Sequence, residues 1–135
     1  MTISIKELRG MKDELAAHLA EMAIRDSAQL LEAATTPARR KDLAEAAGVD
    51  TRVILELANR ADLSRIKGVA GVFSDLLEAA GVDTVKELAT RRADNLHARI
   101  VEVNAAEQRA ARLPTLEDVQ GWIDQAKALD PKIQY

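Results

Sequence analysis

The chain has 135 residues, a net charge of −3 and no cysteine, which sets one compact domain as the expectation and excludes a disulfide framework, thiolate-bound zinc, an iron–sulfur cluster and a thiol nucleophile. Apolar residues make up 47% and charged residues 30%, the balance of a folded domain, but aromatics are only 2%, so alanine and leucine dominate and favour helix over sheet. The net acidity gives no global field that would draw the chain to nucleic acid, so such binding requires a local basic patch.

In chain order, almost every segment carries helical periodicity. Ser4-Ile5-Lys6-Glu7 has the form of a capping box, and Met11, Leu15, Leu19 and Met22 then fall on one face. Leu30, Leu31 and Ala34 form a shorter patch, after which Thr36-Pro37 reads as an N-cap followed by proline at the first helical position. Gly48 ends the next helix and Asp50-Thr51 opens another, with Val53, Ile54 and Leu57 as its apolar face. Asp62 is expected to cap a very short helix through Leu63 and Ile66. Val69, Val72, Phe73, Leu76, Leu77 and Ala80 make a wide stripe that Gly81 terminates, and Thr84-Val85-Lys86-Glu87 is a second capping box. Two longer helices, at roughly 94–112 and 115–128, close the chain. They carry the stripes Leu96, Ile100, Val103, Ala106, Ala110 and Leu116, Val119, Trp122, Ile123, Ala126. No run alternates with period two, so the expected class is all-α with no sheet. Helices before residue 90 should be short, and the tail 131–135 should be the least ordered part.

Two internal repeats organise these elements. Residues 42–51 and 75–84 share Asp-Leu-x-Glu-Ala-Ala-Gly-Val-Asp-Thr at an offset of 33. A fainter match at an offset of 58 aligns Leu8-Arg9-Gly10-Met11 with Ile66-Lys67-Gly68-Val69, Leu15 with Phe73, Leu19 with Leu77, Ile24 with Val82 and Leu30 with Leu88. This places hairpin-like units at about 4–34 and 62–92, a linking helical region at 36–60 and the closing helices at 94–128, within one domain spanning 1–130.

Ile66-Lys67-Gly68-Val69-Ala70-Gly71, followed by a helix, Gly81-Val82-Asp83-Thr84 and a second capped helix, resembles the helix-hairpin-helix unit. Over most of its length the chain is also similar to an uncharacterised family of small, mainly bacterial proteins described as a domain of unknown function. The residues that carry this likeness include Asn59-Arg60-Ala61-Asp62-Leu63, Asp75 through Leu88, Asn95-Leu96-His97-Ala98 and Trp122 through Leu129. The helix-hairpin-helix resemblance implies a non-catalytic module that binds the DNA backbone without reading sequence. A turn free of bulky side chains lets its amides approach a phosphate, and a nearby cation adds attraction. The implied phosphate-binding residues are Arg65, Lys67, Gly68, Val69, Ala70 and Gly71. Arg9, Gly10 and Lys12 of the first unit form a secondary set with the basic cluster Arg39, Arg40 and Lys41. Two departures stand beside the likeness. Ala70 holds the position where that family has its second glycine, and Asp13 and Glu14 follow the first turn.

Residues 35–70 are a net-positive stretch, with seven Lys and Arg against five acidic residues. His18 and His97, the only histidines, do not stand four residues apart as the paired histidines of a helical metal site would. No nucleotide loop, nucleophile elbow or dinucleotide fingerprint occurs, so neither catalysis nor a cofactor is expected. No leader-like or membrane-spanning run occurs, and the expected location is the cytoplasm with no membrane contact. The expected partner is double-stranded DNA. The alternative is a protein-interaction or assembly module, docking a protein partner or a second copy, in which the hairpins serve only as scaffold.

Overall fold

The computed structural model describes residues 2–69, 71–108 and 110–135. Its described residues form a short 3₁₀ turn at Ile5–Glu7 and eight α-helices: α1 (Asp13–Glu21), α2 (Ser27–Ala33), α3 (Pro37–Ala47), α4 (Thr51–Leu63), α5 (Val72–Ala79), α6 (Val85–Leu88), α7 (Ala93–Glu107) and α8 (Leu116–Ala128). No strand occurs among them. One isolated antiparallel bridge joins Ser4 to Asp26.

The apolar stripes converge on two cores rather than one. The first gathers Leu15, Leu19, Leu30, Leu43, Ile54 and Leu57 from α1–α4, and the second gathers Leu63, Ile66, Leu76, Leu77, Leu88, Ile100, Trp122 and Ile123 from the end of α4 onward. In the first, α4 packs on α2 and α3; in the second, α7 packs on α5 and α8, and α8 on α6. Helices α3 and α4, read from sequence as a linking region, thus supply much of the first core. Helix α4 runs from one core into the other: Ala61 belongs to the first and Leu63 to the second.

The two halves share one plan at the offset of 58. Gly10 and Gly68 both have positive φ, +88° and +93°. The Met11 amide donates to the Leu8 carbonyl as the Val69 amide donates to that of Ile66, and Ile24 donates to Leu19 as Val82 does to Leu77. The last helix of each half extends the match at an offset of 65. Helices α4 and α8 are both 13 residues long, and Ile54, Leu57, Ala58 and Ala61 correspond to Val119, Trp122, Ile123 and Ala126, all eight of them buried. The stronger sequence repeat, at 33, has a smaller meaning. Gly48 and Gly81 each occupy the left-handed region after a helix, and the valine after each donates back to the carbonyl five residues earlier. It is the same helix stop used twice.

Capping signals hold with local changes. The Thr36 side chain accepts from the Arg39 amide with Pro37 opening α3, and Thr115 and Asp118 form a reciprocal capping box on α8. That box also holds the Asp118 carboxyl below its ordinary range, mainly through the Thr115 amide. Thr84 caps α6 through the Glu87 amide, while the Glu87 carboxylate bonds Arg91. Ser4 caps only the 3₁₀ turn, through the Lys6 amide. Four sequence expectations are corrected. Asp62 opens no helix; it lies in the last turn of α4, buried, and accepts from the Val85 amide at the start of α6 and from Arg65. Helix α4 is as long as α8, so not all early helices are short. Helix α7 stops at Glu107, where Gln108 turns left-handed, short of residue 112. The tail is packed rather than loose: Ile133 is buried in the first core, the Gln134 amide donates to Thr35, and the Tyr135 hydroxyl donates to Asn59.

Candidate phosphate site at the paired glycine turns

The Arg9 side chain links the first glycine turn to the residues that follow the second. Arg9, beside Gly10, reaches over so that its Nε lies 3.3 Å from Oδ2 of Asp75 in α5. A side chain at Gly71 would sit 3.9 Å from Arg9 Nη2. Arg60 of α4 also bonds Asp75, along with Ser74 and Glu78. Each turn rests on the last helix of its own half. A Cβ at Gly10 would lie 3.9 Å from Leu57, and one at Gly68 would lie 3.3 Å from Trp122 Nε1. At Gly68 the φ of +93° favours glycine, and the contact with Trp122 leaves little room for a side chain. Trp122 is buried and its ring centroid lies 5.5 Å from that of Phe73.

The structure sorts the sequence candidates. Lys67 and Gly68 are exposed at the second turn. Both the amide and the carbonyl of Lys67 are bonded to the Gln125 side chain, which holds the turn but occupies that amide. Val69 turns its side chain into the second core, and its amide donates to Ile66. Ala70 lies outside the described residues. Gly71 precedes α5 with φ +53°. Arg65 is committed inward: Nη1 bonds Asp62 at 2.8 Å and Nη2 bonds the Asp130 carbonyl at 2.7 Å. At the first turn Lys12 is exposed. Among the described residues no carboxylate lies within salt-bridge reach of Lys12 or Lys67.

The basic cluster on α3 does not join the turns. Arg40 is buried; it donates to the carbonyls of Ala34, Thr35 and Gln134, and its guanidinium lies 5.9 Å from the Tyr135 ring centre. It therefore secures the end of α2 and the tail instead of serving a surface patch. Arg39 bonds Glu32, and Lys41 is exposed on the same helix. His18 is exposed on α1, and the His97 ring bonds the Pro114 carbonyl at 3.0 Å. Among the described residues no group of three or more His, Asp or Glu side chains converges as a metal site would, and no helix is long and apolar enough to cross a membrane.

Sequence reasoning missed Asp75 and the support given by Trp122 and Gln125. Trp122 was legible only as a member of the last apolar stripe, because its correspondence with Leu57 lies at the offset of 65 and not at 58. Asp75 was not, because its counterpart at the 58 offset is Ala17, and its partners come from the other half of the chain.

No solved structure and no curated protein matches the chain. The family model described as "Domain of unknown function (DUF4332)" matches residues 9–129, which takes in both glycine turns and all eight helices, and the chain belongs to that family.

Proposed function

We propose that this protein is a non-catalytic binding module whose two glycine turns contact the phosphate backbone of duplex DNA without reading sequence. The observation that supports this reading is the pairing of the turns. Two related bends with positive-φ glycines are linked through Arg9, which runs from the first to Asp75 of α5 behind the second, and each has an exposed lysine beside it that meets no carboxylate among the described residues. Two equivalent edges on one rigid body suit the two strands of a duplex, and bends without side chains can come close to a phosphate. The available charge sets the strength. With Arg40 and Arg65 committed inside and Arg60 paired, about two to four phosphates can be neutralised. A log–log salt slope of roughly −2 to −3.5 then follows from about −0.9 per phosphate. The binding is weak and fades quickly with salt.

Fluorescence anisotropy of a labelled generic duplex at low and moderate salt tests this. Binding at low salt is expected, with the slope above, little dependence on sequence, and loss in Lys12→Glu with Lys67→Glu. Trp122, beneath Gly68, supplies an intrinsic signal of turn occupancy. No binding at low salt, or binding indifferent to both lysines, defeats the reading.

A second reading, a protein-interaction or assembly module, is supported by Val101, Leu113 and Leu116, which stay exposed on and beside α7 and α8, and by the net charge of −3. Light scattering that found a defined oligomer, together with no duplex binding, would favour it.

A further inference from the structure

We propose that Asp75 is an internal competitor for the phosphate site: it holds Arg9 in the unliganded protein and gives it up to a DNA phosphate at the second turn. This rests on the backbone-binding reading and adds a residue and a mode of control to it. By sequence Arg9 belongs to the first turn. In space its guanidinium stands over the second, with Nη2 near Gly71 and Nε on Asp75 at 3.3 Å.

Three features make this contact exchangeable where the neighbouring ones are structural. First, the Arg9 side chain is 48% exposed, against 14% for Arg60 and 16% for Arg65, and half-exposed ion pairs hold weakly. Second, the Arg9 contact with the carboxylate is a single long approach of 3.3 Å through Nε, and the guanidinium's fork of donors is well shaped for an incoming phosphate. Third, Asp75 does not depend on Arg9, because Arg60 keeps it bonded and is itself held by Ser74 and Glu78. Release of Arg9 therefore leaves no buried charge alone, and the halves stay joined through Arg60.

The repeat shows the contact to be one-sided. The counterpart of Arg9 is Lys67, and the counterpart of Asp75 is Ala17. The pair thus has no equivalent on the other side, and Lys67 meets no carboxylate among the described residues. Lys12 and Lys67 are the freely available cations of the two turns, and Arg9 is a restrained third.

The test uses the full chain and a generic labelled duplex in anisotropy titrations across a salt series, with Asp75→Asn, Glu78→Gln, Arg9→Gln and the Arg9→Gln/Asp75→Asn pair. Glu78→Gln changes net charge by the same amount as Asp75→Asn and meets Arg60 rather than Arg9. Asp75→Asn is expected to bind about three- to tenfold tighter than the unsubstituted chain, as release of an exposed pair allows, with a slope steeper by about 0.9 for one added phosphate. Glu78→Gln should stay within about twofold, and the double variant should lose the gain, a non-additivity that isolates the pair. If the unsubstituted chain binds but Asp75→Asn is no tighter than Glu78→Gln, or the gain survives without Arg9, the competitor role is overturned and the backbone reading stands. If neither the unsubstituted chain nor Asp75→Asn binds at low salt, both fall. Should Asp75→Asn fail to fold by circular dichroism, the Arg9 Nε–H resonance of the unsubstituted chain decides. It should move on duplex addition while that of Arg65 stays, and an unmoved Arg9 signal overturns the proposal.

Discussion

The two halves of this molecule are built to one plan and finished differently. In the first, Gly10 rests on Leu57 and the α1–α2 bend passes through Ala23 at φ +63°; in the second, Gly68 rests on Trp122 and the same bend passes through Gly81 at φ +93°. Helix α2 has seven residues where α6 has four. The second half therefore has the better turn residues and the larger aromatic support but the shorter helix, and it borrows Asp62 from α4 to satisfy the first amide of α6. A duplicated frame tolerates such trade-offs because each core needs its volume filled, not filled identically.

The largest expected effect on that comparison comes from emptying the two supports. Trp122→Ala should cost about 3–5 kcal/mol and Leu57→Ala about 2–5 kcal/mol, read from urea denaturation by circular dichroism. Because α4 enters both cores, each variant should shift a single transition. Two separated transitions would show that the halves are independent. The bends give the next test. Gly81→Ala places a Cβ in the left-handed region 3.4 Å from Arg91 Nη2 and should destabilise by about 1–2 kcal/mol, whereas Ala23→Gly relieves the same conformation in the first half and should stabilise by up to about 1 kcal/mol. Opposite signs at equivalent positions are the signature of a shared bend with unequal residues; equal signs would break the correspondence.

The smallest effect concerns Asp83, which opens the stretch before α6. Desolvation first, then the carboxylates of Glu78 and Glu87, push its pKa above the ordinary 3.8. The folded state therefore holds the proton more tightly than the unfolded one. The associated stability is present below the ordinary value and is lost as pH rises through the raised one. Asp83→Asn should then match the unsubstituted chain in acid and be slightly more stable at neutral pH, measured as melting temperature against pH. A variant that is less stable at neutral pH would contradict this.

How much of this was legible in the sequence depends on the range of each signal. Caps and stops are local, so Thr36-Pro37, Thr115 with Asp118, Gly48 and Gly81 could be placed by eye. The strong 33-residue match drew attention for the same reason, yet it marks only a helix stop. The fainter 58-residue match carried the architecture, because duplicated cores keep burial and not letters: Ile24 and Val82 do one job with different side chains. Asp62 misled because a carboxylate before a short apolar run looks like an N-cap, while its real partner, the Val85 amide, lies 23 residues on. Arg40 misled in the same way. Nothing adjacent in sequence reveals that a member of a basic triplet is buried against carbonyls at residues 34, 35 and 134. The candidate site was found at its glycines and missed at Asp75, whose meaning arises only when the halves are brought together.

The return of residues 133–135 to the first core has a consequence in time. Every helix of the first core is present once the chain has grown to residue 63, yet Ile133 must still arrive to complete the packing, and Arg40 waits for a carbonyl 94 residues downstream. On a ribosome the first half emerges early and stays unfinished until synthesis has passed the second. Loop closure over that distance is slow relative to local helix formation. The half that is made first therefore draws its last packing residue from the end of the chain.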